Sequence, residues 1–304
     1  MGKVFISGVT GFVGTNLKEY LKVNFDVQGV SRTHLNNNIT YEELTPEILS
    51  DGDAFVHLAG KAHDLKNVSR PNEYFDVNTE LTKEIFEHFL TSSCQTFIYV
   101  SSVKAVADTV DGVLTEEFVP EPLTPYGQSK LAAEEYLMKH KKREGKNVYV
   151  LRPCMIHGPG NKGNLNLLYT FVNKGIPYPL GKFENKRSFV SVDNLCFIIE
   201  KLMYSSIDSG IFNVADDEAL STLDLVSLIS GVIGRPLKRI DLPKGVVKAL
   251  ARLGDIVHLP VNSHRLDKLT ENYVVSNRKI KEALDIELPI STKAGLHKTI
   301  KSFR

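Results

Sequence analysis

Three glycines lie between the first predicted strand and the first predicted helix, in the stretch ISGVTGFVGTNL. Glycine permits a sharp turn and lets backbone N–H groups approach an anion, and the N-terminus of the following helix adds a partial positive charge. Gly8, Gly11 and Gly14 have GxxGxxG spacing, whereas the best-known dinucleotide turn has GxGxxG. Because the turn follows an apolar strand and precedes an amphipathic helix, we predict a dinucleotide site that also includes Phe12 and Val13.

Short apolar runs alternate with helical patterns through the first half of the chain, which predicts a parallel sheet with crossover helices. The helices are expected at residues 15–23, 77–90 and 125–142. The strands are expected at residues 4–7, 26–31, 39–44, 53–60, 96–102 and 148–153. This order is typical of an α/β fold with a doubly wound (Rossmann) parallel sheet.

The texture of the chain changes after Pro153, where glycine, proline and asparagine become frequent around one apolar helical segment. We therefore predict a cofactor-binding Rossmann domain over residues 1–156, which also takes in about 186–214. Residues 157–304 are expected to form a smaller, mainly substrate-binding C-terminal region.

The composition is that of an ordinary globular protein, with 304 residues, 42% hydrophobic and 24% charged residues and a formal net charge of +1. No charge excess favours nucleic acid or an anionic membrane as a partner. No apolar stretch approaches the ~20 residues that span a bilayer. The first residues also lack the basic lead and cleavage site of a signal peptide, so we expect a cytoplasmic protein without membrane insertion.

Cysteine and histidine spacing gives no sign of a metal site. The three cysteines have neither an even count nor CxxC spacing, which also argues against a disulfide framework. His57, His63 and His157 lack the close spacing of metal ligands, and His57 is expected to be a core histidine.

The end of the second predicted strand bears on the choice of dinucleotide. An acidic residue there would bind a ribose 2′-hydroxyl, and an arginine would accommodate a 2′-phosphate. Ser31 and Arg32 occupy this place, while Asp26 lies too early. NADP(H) is therefore favoured and NAD(H) stays possible, since an exposed arginine after a strand is also commonplace.

A tyrosine and a lysine lie one turn apart at the start of the long predicted helix, in PYGQSK. An ammonium within ~4–6 Å, together with the positive charge of an oxidised nicotinamide, favours a phenolate, so Lys130 and the cofactor are expected to lower the pKa of Tyr126 from about 10 toward neutrality. Ser101 and Ser102 end a strand at the ligand-binding edge of the predicted sheet. We predict that Ser102 and Tyr126 contact one substrate oxygen and that Ser101 supports the cofactor, although both serines could instead bond the backbone.

Seven segments within residues 1–200 together resemble the extended short-chain dehydrogenase/reductase family of NAD(P)-dependent nucleotide-sugar epimerases, dehydratases and ketoreductases. They are GVTGFVG, DAFVHLAG, DVNTELTKEIFE, FIYVSSVKAV, PYGQSKLAAEE, LRPCMIHGPG and RSFVSVDNL. The resemblance implies Tyr126 as acid/base, Lys130 as its electrostatic partner and ribose anchor, and Ser102 as a donor to the substrate oxygen. It also implies that the cofactor passes Leu58, Ala59, Gly60, Asn78 and Pro153.

The same resemblance implies a UDP-sugar substrate and a homodimer. Arg187 matches the diphosphate-binding arginine of the family, and Arg265 is a candidate second clamp. The dimer would form through helices around residues 79–90 and 131–140. Further candidate substrate contacts are Lys104, His157, Asn164 and Leu180.

The resemblance also separates the possible reactions. Dehydratases carry an Asp-Glu pair after the active-site serine or threonine, whereas Val103 and Lys104 stand here. An epimerase usually keeps NAD tightly bound, so Ser31 and Arg32 favour a net reductase. The segments SSVKAV and HLAGKAHDLKN look most like the branch that reduces UDP-linked 2-acetamido-2,6-dideoxy-4-keto-hexoses for surface polysaccharide synthesis.

Two alternatives stay open. One is a UDP-hexose 4-epimerase with tightly bound NAD, and the other is a non-catalytic regulator that binds NADP(H). Val106 and Ala107 replace the Tyr-Gly or Asn-Gly often found at this point of the family, which leaves the contacts on the sugar undetermined.

Overall fold

The computed structural model describes residues 2–35, 37–62, 70–141, 145–161, 163–256 and 262–303, without the side chains of residues 164, 256, 264, 265 and 268. The strands are β1 Gly2–Ser7, β2 Phe25–Ser31, β3 Ile39–Thr40, β4 Ala54–His57, β5 Thr96–Val100, β6 Val113–Leu114, β7 Asn147–Pro153, β8 Met155–His157, β9 Phe189–Ser191, β10 Gly210–Val214 and β11 Val274–Val275. The helices are α1 Phe12–Leu21, α2 Pro46–Leu49, α3 Pro71–Phe75, α4 Leu81–Thr91, α5 Pro125–His140, α6 Asn164–Asn173, α7 Val192–Met203, α8 Thr222–Ile233, α9 Lys244–Ile256, α10 Ser263–Thr270, α11 Arg278–Leu284 and α12 Thr292–Lys301.

Seven parallel strands form the central sheet in the order β10-β7-β5-β4-β1-β2-β3. The order reverses direction at β1, because the chain first adds strands on one side and then crosses to the other. This arrangement is that of a doubly wound sheet, whose ligands bind beyond the carboxyl ends of the strands at the reversal. The predicted fold class is confirmed.

Side chains of the central strands alternate between two buried faces, as expected of a sheet covered on both sides. Phe5 stacks against Phe55, and Phe55 stacks against Phe97, at ring separations of 6.5 and 5.6 Å. Val4 and Ile6 point to the opposite face and pack in a second cluster that includes residues of α1 and α7. The sheet therefore holds the carboxyl ends of its strands at a rigid edge.

The first helix begins earlier than the sequence pattern indicates, at Phe12 rather than at residue 15. Gly14 was assigned to the turn, yet it is a buried helical residue packed against the carbonyl of Gly8. The helix expected at residues 77–90 is also longer. It starts at Pro71 in α3 and passes through a π-helical turn, Asp76–Glu80, into α4. The third strand is shorter than expected and spans two residues.

The C-terminal region has its own apolar core, formed by residues from α6, α8, α9, α10 and α12. Strand β10 lies beside β7 in the central sheet, and α7 packs against α1. The boundaries of the predicted domains remain a prediction. In the ranges that the structure covers, no helix combines the length and apolar character needed to cross a membrane.

Candidate functional site

The glycine turn after β1 packs so closely that side chains are excluded from two positions. Gly8 has a φ of +67°, and a Cβ there would lie 2.7 Å from the backbone nitrogen of Ala59. A Cβ on Gly14 would lie 2.3 Å from the Gly8 carbonyl oxygen. Gly11 caps α1 without a side-chain hydrogen bond, and the first turn of α1 carries no acidic residue. The helix N-terminus therefore suits a phosphate.

The carboxyl end of β2 brings Arg32 and an unforeseen tyrosine close to this turn. The buried Ser31 hydroxyl donates to the Thr33 carbonyl at 2.6 Å and accepts a hydrogen bond from the Asn38 amide at 3.2 Å. Burial raises the pKa of Tyr41, while the Gly8 N–H and the charge of Arg32 lower it. Arg32 itself is exposed. Among the described residues, the Ser31 hydroxyl thus forms hydrogen bonds only with the segment that follows it, at Thr33 and Asn38.

Two serines follow β5 at the edge where ligands are expected. The Ser101 hydroxyl oxygen is buried and has no hydrogen-bond partner among the residues that the structure describes. Ser102 caps a short 3-10 turn, Val103–Ala105, by accepting a hydrogen bond from the Lys104 N–H at 3.2 Å. The sheet therefore offers one unpaired hydroxyl and one partly exposed hydroxyl at this edge.

Helix α5 positions the tyrosine and lysine beside these serines. Thr124 caps the helix by accepting from the Gly127 N–H at 3.2 Å, and proline occupies the first helical position. The Lys130 amino group donates to the Val100 carbonyl at 3.1 Å and lies 4.7 Å from the centre of the Tyr99 ring. Both contacts direct the ammonium to the carboxyl end of β5.

The floor of the site is an asparagine in the π-helical turn. The Asn78 amide donates to the Lys61 carbonyl at 3.1 Å and to the Ser129 hydroxyl at 2.9 Å, and its oxygen accepts from the Lys61 N–H at 2.7 Å. A Cβ on Gly60 would lie 3.0 Å from both the Asn78 oxygen and the Lys130 amino nitrogen. The structure therefore brings Gly60, Asn78 and Lys130 together around a cradle that a side chain at residue 60 would fill.

In the protein without cofactor, the pKa of Tyr126 is raised. Burial raises it above 10, a hydrogen bond with Ser102 lowers it, and the charge of Glu134 raises it further. Burial outweighs the other effects in the protein alone, so Lys130 does not by itself lower this pKa; the lowering expected with an oxidised nicotinamide bound stays a prediction. Tyr126 is consequently a protonated phenol at neutral pH.

Burial also lowers the pKa of Lys130 from 10.5 to about 8, against a raising effect of Glu134. Between these two pH values the folded protein holds fewer protons than the unfolded chain, so stability rises with pH across this window. The charge of Lys130 therefore destabilises the fold below about pH 8. At ~1.4 kcal/mol per pH unit, the shift corresponds to roughly 3 kcal/mol.

We expect Lys130→Met to abolish turnover and yet to stabilise the fold at pH 7, by up to roughly 3 kcal/mol less the loss of the bond to Val100. The gain should shrink as the pH approaches 10, because the native lysine is then neutral. Denaturant unfolding at several pH values measures the gain in stability and its dependence on pH, and an NADPH-consumption assay measures the loss of turnover. Lys139→Met, at an exposed position of α5, is the control and should show no such pH dependence; an equal dependence in both variants would contradict the assignment.

A buried ion pair that was not anticipated lies behind the lysine. The Arg152 guanidinium in β7 bonds both carboxylate oxygens of Glu134 in α5, with Nε distances of 3.1 and 3.0 Å and an Nη2 distance of 2.5 Å. The two side chains are 3% and 1% exposed. Glu134 follows Lys130 by one helical turn, so the pair fixes a carboxylate near the ammonium.

The histidine in β4 is part of a buried polar chain, as expected of a core residue. One ring nitrogen of His57 lies 2.6 Å from the Ser7 hydroxyl and the other lies 2.9 Å from the Thr82 hydroxyl. Burial, helped by the charge of Lys130, lowers its pKa to about 3, so the ring stays neutral. His63 lies outside the described residues, and no metal-binding cluster of three acidic, cysteine or histidine residues occurs in the part of the chain that is described.

The predicted substrate residues have mixed surroundings. Arg187 forms an ion pair with Glu271 at 3.3 Å and is mostly buried. His157 is buried, bonds the Thr299 hydroxyl at 2.9 Å and lies 3.6 Å from the Asp216 carboxylate. Leu180 is buried in the C-terminal core. The side chains of Asn164 and Arg265 lie outside the described structure, so these substrate contacts all remain predictions.

The segment after Ser102 is held by the C-terminal region. The Tyr273 hydroxyl lies 2.8 Å from the Ala107 carbonyl oxygen and 3.2 Å from the Val103 carbonyl oxygen, which share its one proton. The Lys104 amino group donates to the Asp108 carbonyl at 2.7 Å and lies 4.4 Å from the centre of the Tyr273 ring. Residue 273 was not singled out in the sequence, because nothing in its local pattern indicates contact with a segment 170 positions earlier.

The remaining predicted cofactor residues follow the same edge. Leu58 and Ala59 continue β4, and their N–H groups donate to the Ser7 hydroxyl at 3.2 and 3.3 Å. Phe12 lies where a Cβ on Gly158 would come within 3.3 Å of its ring. Pro153 ends β7. The close-packed glycines, the cradle at Gly60 and the unpaired Ser101 hydroxyl fit a dinucleotide lying from α1 to the start of α5.

Comparison with known proteins agrees with this geometry. Residues 4–215 match the model of the NAD dependent epimerase/dehydratase family. A UDP-glucose 4-epimerase of Vibrio cholerae is 30% identical over 99% of this chain and 95% of its own length. A GDP-6-deoxy-D-mannose reductase of Pseudomonas aeruginosa is 25% identical over 82% of this chain and 86% of its own.

A solved structure has the same fold over the full length. The UDP-N-acetylglucosamine 4-epimerase from Bacillus cereus superposes with a TM-score of 0.79, at 20% identity, and covers 100% of both chains. The predicted family resemblance is thus confirmed by the family model and by a relative that spans the whole chain. This protein belongs to the NAD dependent epimerase/dehydratase family and is an NAD(P)-dependent oxidoreductase or epimerase of nucleotide sugars.

Proposed function

We propose that this enzyme uses NADPH to reduce the 4-keto group of a UDP-linked amino 6-deoxy hexose destined for surface polysaccharide. The observation that carries the proposal is the end of β2, where Ser31 and Arg32 stand in place of the carboxylate that a 2′-hydroxyl requires. Arg32 is exposed beside Tyr41 and the glycine turn. Its guanidinium could there form charge-assisted hydrogen bonds with a 2′-phosphate. A cofactor that is consumed in each turnover suits a net reductase.

The bound nicotinamide would supply the hydride, and the residues of this chain would supply the proton and the charge stabilisation. Tyr126 is a protonated phenol and can donate its proton to the carbonyl oxygen of the sugar as the oxygen gains negative charge. Ser102 can donate a hydrogen bond to the same oxygen. Lys130 then stabilises the phenolate that Tyr126 becomes, and the proton of Tyr126 is restored from solvent.

Burial raises the pKa of Tyr126 in the protein without cofactor, so the phenol holds the proton that reduction requires. An oxidised nicotinamide would add a positive charge near this phenol and favour its ionisation, so the same residue would serve as the base in the oxidative half of an epimerase reaction.

A UDP-hexose 4-epimerase is the second candidate, because a full-length relative at 30% identity carries that name. Purified enzyme incubated with a UDP-4-keto sugar and NADPH separates the candidates. Stoichiometric loss of NADPH absorbance with one reduced sugar supports the reductase. Interconversion of two UDP-hexoses without net NADPH loss supports the epimerase, and tight NADPH binding without turnover of any sugar supports a regulator.

We expect Arg32→Asp to weaken NADPH binding roughly tenfold to hundredfold, because it replaces a charge-assisted bond to phosphate with repulsion. NADH binding should change little. Titration calorimetry with both cofactors measures the difference, and Arg278→Asp, at an exposed position of α11, is the charge-matched control. Equal affinities for NADPH and NADH in the parent enzyme would contradict the proposed preference for NADPH.

The proposal includes a homodimer in the cytoplasm. Helices α4 and α5 pack side by side, and the Tyr136 hydroxyl of α5 bonds the Glu87 carboxylate of α4 at 2.6 Å on their outer surface. We expect these two helices to pair with those of a second copy, as the family resemblance implies. The three cysteines are free and buried, which fits a reducing compartment.

A further inference from the structure

Helix α9 has a wide apolar arc, of which only half is covered by the residues that the structure describes. Val247 and Ala251 are buried in the C-terminal core. The neighbouring row of the same helix consists of Val246, Leu250 and Leu253, which are 47%, 51% and 56% exposed. Three large aliphatic side chains thus form a continuous exposed row along about two turns of helix.

A row of cations runs along the other side of the solvent-facing surface of α9. It consists of Lys244, Lys248 and Arg252, all exposed. Neither Lys248 nor Arg252 has an ion pair or hydrogen bond with any residue that the structure describes. The carboxylate of Asp255 accepts hydrogen bonds from the Ser263 N–H at 3.0 Å and its hydroxyl at 2.6 Å. Lys248 and Arg252 are therefore without an ion-pair partner among the described residues, and Lys244 lies 5.8 Å from the centre of the Phe183 ring.

The two rows flank a strip of small residues that points away from the core. At about 100° per residue, Gly245 and Ala249 lie opposite the buried row of α9. Because these residues are small, a flat surface can approach the helix axis closely. It would then meet the aliphatic row on one side and the cations on the other.

We propose that α9 docks this enzyme on the surface of a membrane that contains anionic phospholipids. The helix would lie in the plane of the headgroups, with Val246, Leu250 and Leu253 among the upper acyl chains. Lys248 and Arg252 would reach the phosphates of neighbouring lipids, since long basic side chains can extend along an interface. The binding is peripheral, in agreement with the finding that no described helix can span a bilayer.

Charge favours a membrane over a second copy of this chain as the occupant. A two-fold contact between two α9 helices would bury the aliphatic rows and bring no acidic row to the unpaired cations. An anionic lipid surface satisfies both rows at once. The proposal is independent of the reaction, because no residue of α9 belongs to the cofactor site or the acid/base site.

The chain contains no tryptophan, so the fluorescence of a single introduced tryptophan reports the surroundings of that position alone. Leu253→Trp places a single indole in the aliphatic row, and Val23→Trp places one at a position that is 69% exposed outside α9. With phosphatidylglycerol-containing vesicles, we expect the emission of Leu253→Trp to shift to the blue and that of Val23→Trp to stay unchanged. Neutral phosphatidylcholine vesicles should give a much smaller shift.

Vesicle co-sedimentation of otherwise native protein tests the two rows separately. Leu250→Ser with Leu253→Ser, and Lys248→Gln with Arg252→Gln, should each reduce the fraction bound to anionic vesicles at least tenfold. Val23→Ser with Tyr204→Ser, which removes apolar side chains of similar exposure, should bind as the parent does. NADPH binding should be equal in all of these variants, which separates loss of docking from misfolding.

Several results would overturn the proposal. One is parent protein that stays in the supernatant with anionic vesicles. Another is emission of Leu253→Trp that is already blue-shifted in dilute protein without lipid, which would show that another part of the chain covers α9. A shift that depends on protein concentration without lipid would identify a second copy as the occupant.

Discussion

Tyr126→Phe should reduce turnover of a 4-keto nucleotide sugar by about 10²- to 10⁴-fold, the range typical of a lost general acid. The substitution removes only the phenolic oxygen and keeps the ring, whose edge contacts Tyr74 at a centroid distance of 6.4 Å. NADPH affinity should change little, because Lys130 and the glycine turn are untouched. Single-turnover absorbance measurements, with a parallel NADPH titration, check both expectations.

The matched control is Tyr74→Phe, which removes a phenolic oxygen from the neighbouring ring in α3. It should keep turnover within a few-fold of the parent. The pH profile adds an independent readout: activity of the parent should fall above about pH 8, where Lys130 loses its charge, because a neutral amine stabilises the Tyr126 phenolate poorly. Substantial turnover by Tyr126→Phe would refute the role given to the phenol.

Arg152→Met should destabilise the fold by about 3–5 kcal/mol, since it leaves the Glu134 carboxylate buried without its partner. Glu134→Gln with Arg152→Met should recover most of that loss, because neither residual side chain then carries a buried charge. Denaturant unfolding of the parent, both single variants and the double variant forms a complete double-mutant cycle. A coupling energy near zero would contradict the importance given to this pair.

An exposed ion pair of the same chain is the control for this cycle. Arg278 and Glu282 in α11 lie 3.8 Å apart and are 80% and 70% exposed. Arg278→Met should cost no more than about 1 kcal/mol, because water screens the two charges.

Glu134→Gln should also lower the pKa of Lys130 by removing a nearby negative charge, so the fall in activity should move to lower pH.

Elements that depend on residues close together in the sequence, such as the strands and the glycine turn, were predictable. Sequence patterns predicted six of the seven strands of the central sheet, all except β10, and Gly8 and Gly11 identified the turn before α1. The start of α1 was misjudged because Gly14 is favourable in a turn but is needed here as a helical residue that lets the helix approach Gly8. Local sequence does not distinguish these two uses of glycine.

Features that depend on distant partners were not predictable in the same way. The Glu134–Arg152 pair joins a helix and a strand, although an arginine inside the apolar run VYVLRP was a signal that a buried acid must exist. The pKa of Tyr126 depends on how much of the protein surrounds the phenol, which spacing alone does not reveal. The net charge of +1 likewise gives no indication of the local row of cations on α9.

The hydroxyl of Tyr273 has a consequence for chimeras of such enzymes. By holding the carbonyls of Val103 and Ala107, it makes the position of Ser102 depend on a residue from the region that would recognise the sugar. A chimera that joins this N-terminal half to the C-terminal half of a relative would keep this placement of Ser102 only where the relative supplies a hydroxyl at the same point.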